Sequence, residues 1–304
     1  MTKGFITLAT GNERYFKLAS NLLKSYRFFS KNPLPFAIIA DHHNKYTDEF
    51  DEVIILEDAK SSYMDKLSIL INCPFDETIF IDADCLAYQD LNEYWDFYDF
   101  SYSLTCFGVS NSLNFKNGWF KKEDVGKYGD QISFIPSMHG GCYFIKRSHE
   151  CQKIYDLAME INTKYYQYKF KYFDDPADEP ILALCMAVFN CHPIEMKTIN
   201  PIVFYPAVTN FESNINFGIN SYTAKNKTIK NSYLVHWQNY FTTRALYKTE
   251  VDRLNFLYEN NLGTFSKLKS VFKIKTRSLL YGGSDFLKLF KTFIKKETKK
   301  LVRI

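Results

Sequence analysis

Two aspartates follow directly on a run of strand-forming residues in the first third of the chain. The run is Thr78-Ile79-Phe80-Ile81, and Asp82 and Asp84 come next with one residue between them. In an extended backbone, residues at i and i+2 share a face, so both carboxylates would point the same way. A hard divalent ion such as Mg2+ or Mn2+ accepts oxygen ligands of this kind and leaves positions open for substrate phosphates. The spacing predicts a metal–phosphate site, although it also fits a strand that ends in an ordinary polar turn.

Strands and helices alternate over the first 82 residues. Apolar runs bounded by turn residues predict strands, and apolar residues spaced three and four apart predict helices. The predicted strands are Phe5–Thr10, Phe36–Ala40, Val53–Leu56 and Thr78–Asp82, and the predicted helices are Glu13–Phe29 and Tyr63–Ile71. This alternation predicts an α/β protein with a mostly parallel sheet and helices on both faces. Ligands bind beyond the carboxyl ends of such strands, where Thr10, Asp41 and the aspartate pair lie.

The alternation weakens after Cys85. The segment 108–132 contains four glycines and is expected to be a long loop that covers the substrate. The pair Gly140-Gly141 precedes a predicted strand and would let backbone or ligand approach closely, although a plain bulge is the alternative. Further helices are predicted at 148–166, 181–189 and 249–258, and a late strand at 232–235 leads into His236.

The composition is that of a soluble globular protein. Hydrophobic residues make up 46% and charged residues 24% of the 304 residues, enough for one large or two small domains. No apolar run reaches 18 residues, so no transmembrane helix is predicted. Seven cysteines form an odd set without a Cys-x-x-Cys pair, which indicates reduced thiols in the cytoplasm.

Positive charge is concentrated at the C-terminal end. The segment 267–303 holds 12 basic and 2 acidic residues, which leaves 26 basic and 32 acidic residues in the rest of the chain. Apolar residues alternate with lysines throughout 264–304, a pattern typical of a basic amphipathic helix on an anionic membrane. A helix packed on the globule and a disordered tail are the alternatives. The sequence predicts a catalytic domain at 1–263, a peripheral position on the inner face of the membrane, and no nucleic-acid binding, because no basic stripe precedes residue 264.

Several of these landmarks resemble a known family in their order along the chain. Residues 4–250 resemble the retaining, metal-dependent nucleotide-sugar glycosyltransferases of the glycogenin and bacterial lipopolysaccharide galactosyltransferase type. The resemblance rests on Thr7-Leu8-Ala9-Thr10, Phe80-Ile81-Asp82-Ala83-Asp84 and Tyr233-Leu234-Val235-His236. It implies the GT-A fold, a Rossmann-like mixed and mostly parallel sheet flanked by helices.

The resemblance also implies a metal centre. Asp82 and Asp84 would hold the ion, and His236 would be its third protein ligand, unless that histidine is a core residue packed beside Trp237. Because imidazole as well as carboxylate suits Mn2+, we expect Mn2+ rather than Mg2+. Lys66 would add positive charge at the diphosphate or sugar, the alternative being a solvated helix residue.

Other residues would bind the donor or act on the sugar. The donor-binding residues that the resemblance implies are Leu8, Thr10, Tyr15, Ala83, His139 and Gly141, with Tyr15 stacked on uracil. The segment Asp178-Glu179 matches the family's Asp-Gln pair with glutamate in place of glutamine, and either carboxylate would stabilise the oxocarbenium-like centre. Helix capping by Asp178 is the competing interpretation. The Lys-Pro-Trp run that usually follows the family's histidine is missing here, and Arg244 is the nearest candidate for its phosphate contact.

The function that this resemblance implies is transfer of a sugar from a nucleotide-sugar donor, expected to be a UDP-sugar, with retention of configuration. The acceptor would be a glycan or a lipid-linked glycan in surface polysaccharide or lipopolysaccharide synthesis. Two alternatives remain open at this stage. One is a metal-dependent phosphohydrolase of the haloacid-dehalogenase type, in which Asp-x-Asp ends the first strand. The other is a non-catalytic glycan- or lipid-binding adaptor.

Overall fold

The structure is a computed structural model, and it describes residues 1–98, 101–172, 175–196, 201–224 and 226–258. The predicted basic tail at 264–304 and its boundary at 263 lie outside the described residues. A six-stranded sheet forms the centre of the molecule. Its strands are β1 (Lys3–Ala9), β2 (Phe36–Ala40), β3 (Glu52–Ile55), β4 (Glu77–Ile81), β6 (Leu104–Asn111) and β7 (Ile135–Lys146).

The strand order of this sheet is β3-β2-β1-β4-β7-β6. The first four strands in this order are parallel, with Thr7 opposite Ile38 and Ile6 opposite Phe80. The last two are not, because β7 runs antiparallel to both β4 and β6. The predicted mixed, mostly parallel sheet is therefore confirmed, and the carboxyl ends of the parallel strands share one edge.

Helices cover both faces of the sheet, as the alternation of strands and helices predicts. Successive side chains of β1 point to opposite faces, so Phe5 joins one apolar core and Ile6 the other. The first core contains the buried stripe of the helix that follows β1, and the second contains residues of three later helices. The helices are α1 (Glu13–Phe29), α2 (Ile69–Asn72), α3 (His149–Thr163), α4 (Asp178–Val188) and α5 (Ala245–Tyr258).

A second, smaller sheet brings the late histidine to the aspartate pair. Its strands are β5 (Cys85–Ala87), β8 (Ile202–Phe204) and β12 (Leu234–His236). Strand β12 runs antiparallel to β5, with His236 directly opposite Cys85, and parallel to β8. Because β5 starts one residue after Asp84, this register places His236 beside the two aspartates.

Some predicted elements differ from the observed ones. The predicted helix at 63–71 is a 3₁₀ helix, Tyr63–Ser68, followed by the short α2. The predicted loop at 108–132 begins inside β6 and then forms two 3₁₀ turns, Lys122–Asp124 and Gly126–Gln131. The segment after Pro193 forms β8 and then an antiparallel sheet that sequence reasoning missed, made of β9 (Thr209–Asn214), β10 (Ile219–Ala224) and β11 (Lys227–Lys230).

The cysteines and the lengths of the helices were also the subject of predictions. All seven cysteines are buried and form no disulfide. Within the ranges that the structure describes, every helix is too short or too polar to cross a lipid bilayer.

Candidate active site

The turn after β4 positions the two aspartates. The backbone N–H of Asp82 donates to Gly141 on β7 over 3.0 Å, and the Asp82 carbonyl accepts from the N–H of Cys85 over 3.0 Å. The Asp82 carboxylate also accepts from the N–H of Ala83 over 3.2 Å. These bonds fix a tight turn at the carboxyl end of the strand, where both carboxylates are largely buried.

The imidazole of His236 lies against this pair. Its Nε2 is 3.0 Å from Asp84 Oδ1 and 3.7 Å from Asp82 Oδ2. Asp84 Oδ1 is buried, yet it accepts no hydrogen bond of good geometry from the described residues. An imidazole nitrogen near two carboxylates, one of which has a buried oxygen without a well-formed hydrogen bond, fits a divalent cation. The structure thus brings the three predicted metal ligands together.

Among the described residues, the ligand atoms that all lie within 4.8 Å of one another belong to Asp84, Cys85 and His236, a set that does not include Asp82. Burial and the two nearby aspartates raise the pKa of the Cys85 thiol well above its usual value. Because a metal binds the thiolate rather than the thiol, the two carboxylates and the imidazole are the better ligand set.

The charged groups at this edge shift one another's pKa values. Burial disfavours the imidazolium of His236, but Asp84 and Asp82 outweigh burial and raise the pKa of His236. Burial likewise disfavours the Asp82 carboxylate, but Lys66 and His236 outweigh it and lower the pKa of Asp82. The two carboxylates thus favour the charged form of His236. A metal ion binds neutral imidazole, so it would compete with a proton for this ring.

Lys66 lies between the candidate metal edge, which is formed by Asp82, Asp84 and His236, and the first turn of α4. Its Nζ is 2.8 Å from Asp82 Oδ2 and 3.7 Å from Asp178 Oδ2, and the side chain is only 12% exposed. Burial disfavours the ammonium, but Asp178 and Asp82 outweigh it and raise the pKa of Lys66. Lys66 is therefore a buried, charged residue and not a solvated one. A capping box of Ser62 and Asp65 starts the 3₁₀ helix that carries it.

Asp178 and Glu179 occupy the first turn of α4 but do not cap it. The N-cap residue is Ala177, so the capping interpretation of Asp178 is wrong. Asp178 Oδ2 instead accepts a hydrogen bond from the Tyr143 hydroxyl over 2.6 Å. Glu179 Oε1 accepts from the N–H of Gly140 over 2.8 Å. Both side chains thus point back toward β7 and the metal edge.

The two carboxyls of this turn have raised pKa values. Burial raises the pKa of Asp178 despite the neighbouring Lys66. Burial and the charge of Asp178 raise the pKa of Glu179 to about 7. Glu179 therefore exchanges its proton near neutral pH, which is the range in which a general acid or base works best.

The glycine pair on β7 leaves room for these side chains. A Cβ atom on Gly140 would lie 2.0 Å from Glu179 Oε1, and one on Gly141 would lie 2.8 Å from His236 Nδ1. Such distances are far below van der Waals contact. The groups that approach this pair closely are side chains of the site itself, whereas the sequence predicted backbone or ligand.

His139 precedes the glycines and is a neutral imidazole. Its Nδ1 accepts from the N–H of Gly141 over 3.1 Å, which assigns the ring proton to Nε2. Nε2 is buried and has no partner among the described residues. Burial and the nearby His236 lower the pKa of His139 to about 3, so the ring carries no charge at neutral pH.

A cavity of about 510 Å3 opens beside the metal edge. Seven residues that the sequence assigned to the site line it, namely Leu8, Thr10, Tyr15, Lys66, Asp82, Ala83 and Asp84. The other predicted residues His139, Gly141, Asp178, Glu179 and His236 are not among the residues that line it. Sequence reasoning missed further lining residues, which are Ala9, Ser61, Ser62, Tyr63, Met64, Asp175, Pro176 and Asn239.

Arg244 is not brought to this cavity. Its guanidinium lies over the Tyr240 ring, 4.6 Å from the ring centre. Arg14 also contacts the loop after His236, and it donates to the Asn239 carbonyl and the Thr242 hydroxyl. Asn239 in turn donates from Nδ2 to the Tyr15 hydroxyl over 2.7 Å. No local pattern signals these contacts, because they join residues more than 220 positions apart.

Glu179 makes a prediction about stability. Between pH 4.5 and about 7 the folded chain keeps a proton on Glu179 that the unfolded chain has lost, so stability falls as pH rises. Glu179→Gln should flatten this profile and change the stability difference from wild type by up to about 3 kcal/mol across that window. Chemical denaturation with EDTA at several pH values measures it, with the exposed Glu57→Gln as matched control. Parallel profiles for wild type and Glu179→Gln would contradict the assignment.

Comparison with known proteins shows the fold. No family model matches the sequence, and no curated protein matches it. The structure of galactosyltransferase LgtC with donor and acceptor sugar analogs is 12% identical, with a TM-score of 0.51 over 83% of this chain and 94% of that chain. An active-site mutant of LgtC has a TM-score of 0.46 at 12% identity over 78% and 87%. The glycosyltransferase GlyE of Streptococcus pneumoniae TIGR4 has 0.40 at 12% over 65% and 46%.

The likeness to the LgtC structure with a TM-score of 0.51 and the sheet order confirm the prediction of the GT-A fold. At 12% identity they establish the fold, and the function has to be argued from the site. The aspartate pair follows the fourth strand along the chain, whereas the haloacid-dehalogenase alternative requires it after the first.

Proposed function

We propose that this protein is a metal-dependent glycosyltransferase that moves a sugar from a UDP-sugar to a glycan or lipid-linked acceptor with retention of configuration. One observation carries the proposal. Asp82 and Asp84 line a cavity that Tyr15 and Lys66 also line, and the His236 imidazole lies within 3.7 Å of both carboxylates. Carboxylates and an imidazole for a cation, an ammonium for phosphate and an aromatic ring for a base are together the set that a nucleotide sugar requires.

The metal edge would stabilise the leaving group. Breaking the bond between sugar and nucleotide leaves negative charge on a diphosphate. Asp82, Asp84 and His236 would hold a divalent ion, which when bound acts as a Lewis acid on that diphosphate. Mn2+ is preferred to Mg2+ because one ligand is an imidazole. Lys66 holds a second positive charge in place, since Asp82 and Asp178 keep it protonated and oriented.

Residues of the first turn of α4 would contact the sugar of the donor and stabilise its charge. Tyr143 and Lys66 orient Asp178, and the Gly140 N–H orients Glu179. An ionised Asp178 would stabilise positive charge on the sugar ring in the transition state. Glu179, with its pKa near 7, can donate or accept a hydrogen bond beside it. His139 offers a neutral N–H in the same region, which suits a sugar oxygen.

The other end of the cavity would hold the nucleoside. Asn239 fixes the Tyr15 hydroxyl, and Arg14 fixes the loop that carries Asn239. A ring held in this way can stack on a base at little entropic cost, a contact worth roughly 1–3 kcal/mol. Leu8 and Thr10 complete this end, and the Thr10 hydroxyl is held by Asp65 over 3.0 Å.

The proposal includes a cellular setting. The basic amphipathic segment 264–304 would hold the enzyme on the cytoplasmic face of an anionic membrane, where lipid-linked acceptors for surface polysaccharide or lipopolysaccharide are found. The chemistry of the segment and the absence of a basic stripe elsewhere in the sequence support a membrane partner over a nucleic acid.

A donor screen tests the proposed function. Thermal denaturation with UDP-, GDP- and CMP-sugars, with and without Mn2+, should show the largest rise in Tm for a UDP-sugar with Mn2+, because ligands stabilise the state that binds them. Release of UDP from that donor should require the metal. An adaptor would give the shift without turnover, and a phosphohydrolase would form a phosphoenzyme at Asp82. If no nucleotide sugar raises Tm, either with or without Mn2+, the proposal is wrong.

A further inference from the structure

Cys85 lies at the metal edge, but the proposed transfer reaction does not use it. It is the first residue of β5 and stands directly opposite His236 on β12. Directly opposite residues of an antiparallel pair project their side chains from the same face of a sheet. The Cys85 thiol and the His236 imidazole are therefore neighbours, and together with Asp84 they supply three ligand atoms that all lie within 4.8 Å of one another.

The two aspartates differ in how far their oxygens are already engaged. Asp82 Oδ2 lies 2.8 Å from Lys66 Nζ, and Asp82 Oδ1 accepts from the N–H of Ala83 over 3.2 Å. Asp84 Oδ1 is buried and accepts no well-formed hydrogen bond from the described residues. A cation on Asp84 can thus leave Asp82 to Lys66, whereas a cation on both carboxylates has to share Asp82 with an ammonium.

Asp84, Cys85 and His236 offer ligand types that suit a softer ion than Mn2+. Thiolate and imidazole favour Zn2+, whereas Mn2+ prefers oxygen. Zn2+ takes four ligands in a tetrahedron at about 2.0–2.3 Å, so its ligand atoms lie about 3.5 Å apart. Asp84 Oδ1 and His236 Nε2 are already 3.0 Å apart, and the 4.8 Å limit leaves the thiol only a small movement to make.

We propose that Asp84, Cys85 and His236 form a second ion site, here called the zinc site, which binds Zn2+ or another thiophilic divalent ion and thereby inhibits the enzyme. A coordinating thiol is deprotonated, so the S–H bond of Cys85 breaks, its proton leaves to water and a sulfur–zinc bond forms. No oxidant or reductant takes part. The zinc site shares Asp84 and His236 with the site proposed for Mn2+, so the two sites cannot be filled together.

Inhibition follows from the number of positions that each ion leaves open. Three protein ligands on a four-coordinate Zn2+ leave one position. A diphosphate chelated through one oxygen of each phosphate needs two positions, which a six-coordinate ion on Asp82, Asp84 and His236 provides. The inhibition therefore rests on the proposed function, whereas binding of Zn2+ to the zinc site does not.

Titration of the full chain with Co2+ tests the zinc site. Co2+ takes the same ligands as Zn2+ and gives a sulfur-to-metal absorption band only when a thiolate is bound. Wild type should show this band, and Zn2+ should remove it. Cys85→Ser and Cys85→Ala should lack the band and bind Zn2+ at least about a hundredfold more weakly, since loss of an outer-shell partner alone costs up to that factor.

Cys151→Ser is the matched control for the two Cys85 variants. Cys151 is also buried, and a serine hydroxyl can keep the hydrogen bond that the Cys151 thiol donates to the Leu70 carbonyl over 3.2 Å. This variant should show the Co2+ band at the strength of wild type. Circular dichroism confirms that all three variants fold.

Activity separates inhibition from binding. UDP release with Mn2+ is measured at rising Zn2+, and each protein is compared with its own rate without Zn2+. Half-inhibition of both Cys85 variants should require at least about tenfold more Zn2+ than half-inhibition of wild type and Cys151→Ser. Equal inhibition of all four proteins refutes inhibition through this site.

The Co2+ band also distinguishes failure of the zinc site from failure of the proposed function. Absence of the band from wild type, or its persistence in both Cys85 variants, refutes the zinc site whatever the activity. If no nucleotide sugar is turned over, the proposed function and the inhibition both fail, while the band still decides whether Cys85 binds the ion.

Discussion

Asp84→Asn should lower the rate of metal-dependent nucleotide-sugar hydrolysis by roughly a thousandfold. The amide keeps the shape of the side chain but removes the negative charge from the oxygen that lies 3.0 Å from His236 Nε2. Loss of the ion would remove several kcal/mol of stabilisation from the departing diphosphate, and each 1.36 kcal/mol corresponds to about a tenfold change in rate. Steady-state release of UDP at saturating Mn2+ measures the effect.

A second readout shows whether Asp84 acts through the metal. Isothermal titration with Mn2+ should give a Kd at least about tenfold weaker for Asp84→Asn, while the exposed Asp58→Asn matches wild type in both assays. Retention of more than about a tenth of the activity by Asp84→Asn would contradict the metal site. Weak metal binding with normal activity would contradict the role of the metal in the reaction.

Local sequence could predict those parts of the site that depend on a single helix or a single strand. Helix α1 is observed at Glu13–Phe29, as predicted, because its apolar stripe and the capping Asn12 determine both face and start. The aspartate pair and Thr10 lie at strand ends because β-forming runs lead directly into them. Their meeting at one edge follows from the parallel order of the strands.

Contacts between distant segments could not be derived from local pattern. The register of β12 on β5 decides that His236 reaches Asp84, and a shift of one residue would turn the imidazole to the other face. The family resemblance supplied this contact, and the chain itself gives no signal for it. The resemblance did not predict the contacts of Arg14. It pointed to Arg244 instead, because Arg244 is the nearest cation in sequence to the place where the family has Lys-Pro-Trp.

Asp178 shows how a local rule can lose to tertiary contacts. An aspartate two residues before a proline at the start of a helix fits an N-cap. In the structure the helix begins at Asp178 itself, with Ala177 at the cap, and Asp178 turns to Tyr143 and Lys66. A buried ammonium and a hydroxyl together offer the carboxylate more than the helix N-terminus does. The departure from the local rule falls at a residue of the candidate site, as expected for a functional position.

Lys66→Met should destabilise the metal-free protein by about 3 kcal/mol at pH 8. The side chains have similar length, but the substitution leaves Asp82 and Asp178 buried without the ammonium that now lies 2.8 and 3.7 Å away. Their pKa values would rise, so the folded variant would bind protons that the unfolded chain has released. The destabilisation should therefore shrink as pH falls toward 5. Urea denaturation in EDTA at both pH values measures it.

The response of Tm to Mn2+ shows whether Lys66 belongs to a cation and phosphate site or only to an ordinary buried ion pair. A divalent cation on Asp82 would replace part of the lost positive charge, so Mn2+ should raise the Tm of Lys66→Met more than that of wild type. The matched control is Lys121→Met, whose exposed partner Glu123 lies 3.7 Å away, and its loss should stay below about 1 kcal/mol with no added response to Mn2+. If Lys66→Met is as stable as the control, Lys66 does not carry the charge balance of the site. An equal Mn2+ response in all three proteins would mean that the cation binds elsewhere than beside Asp82.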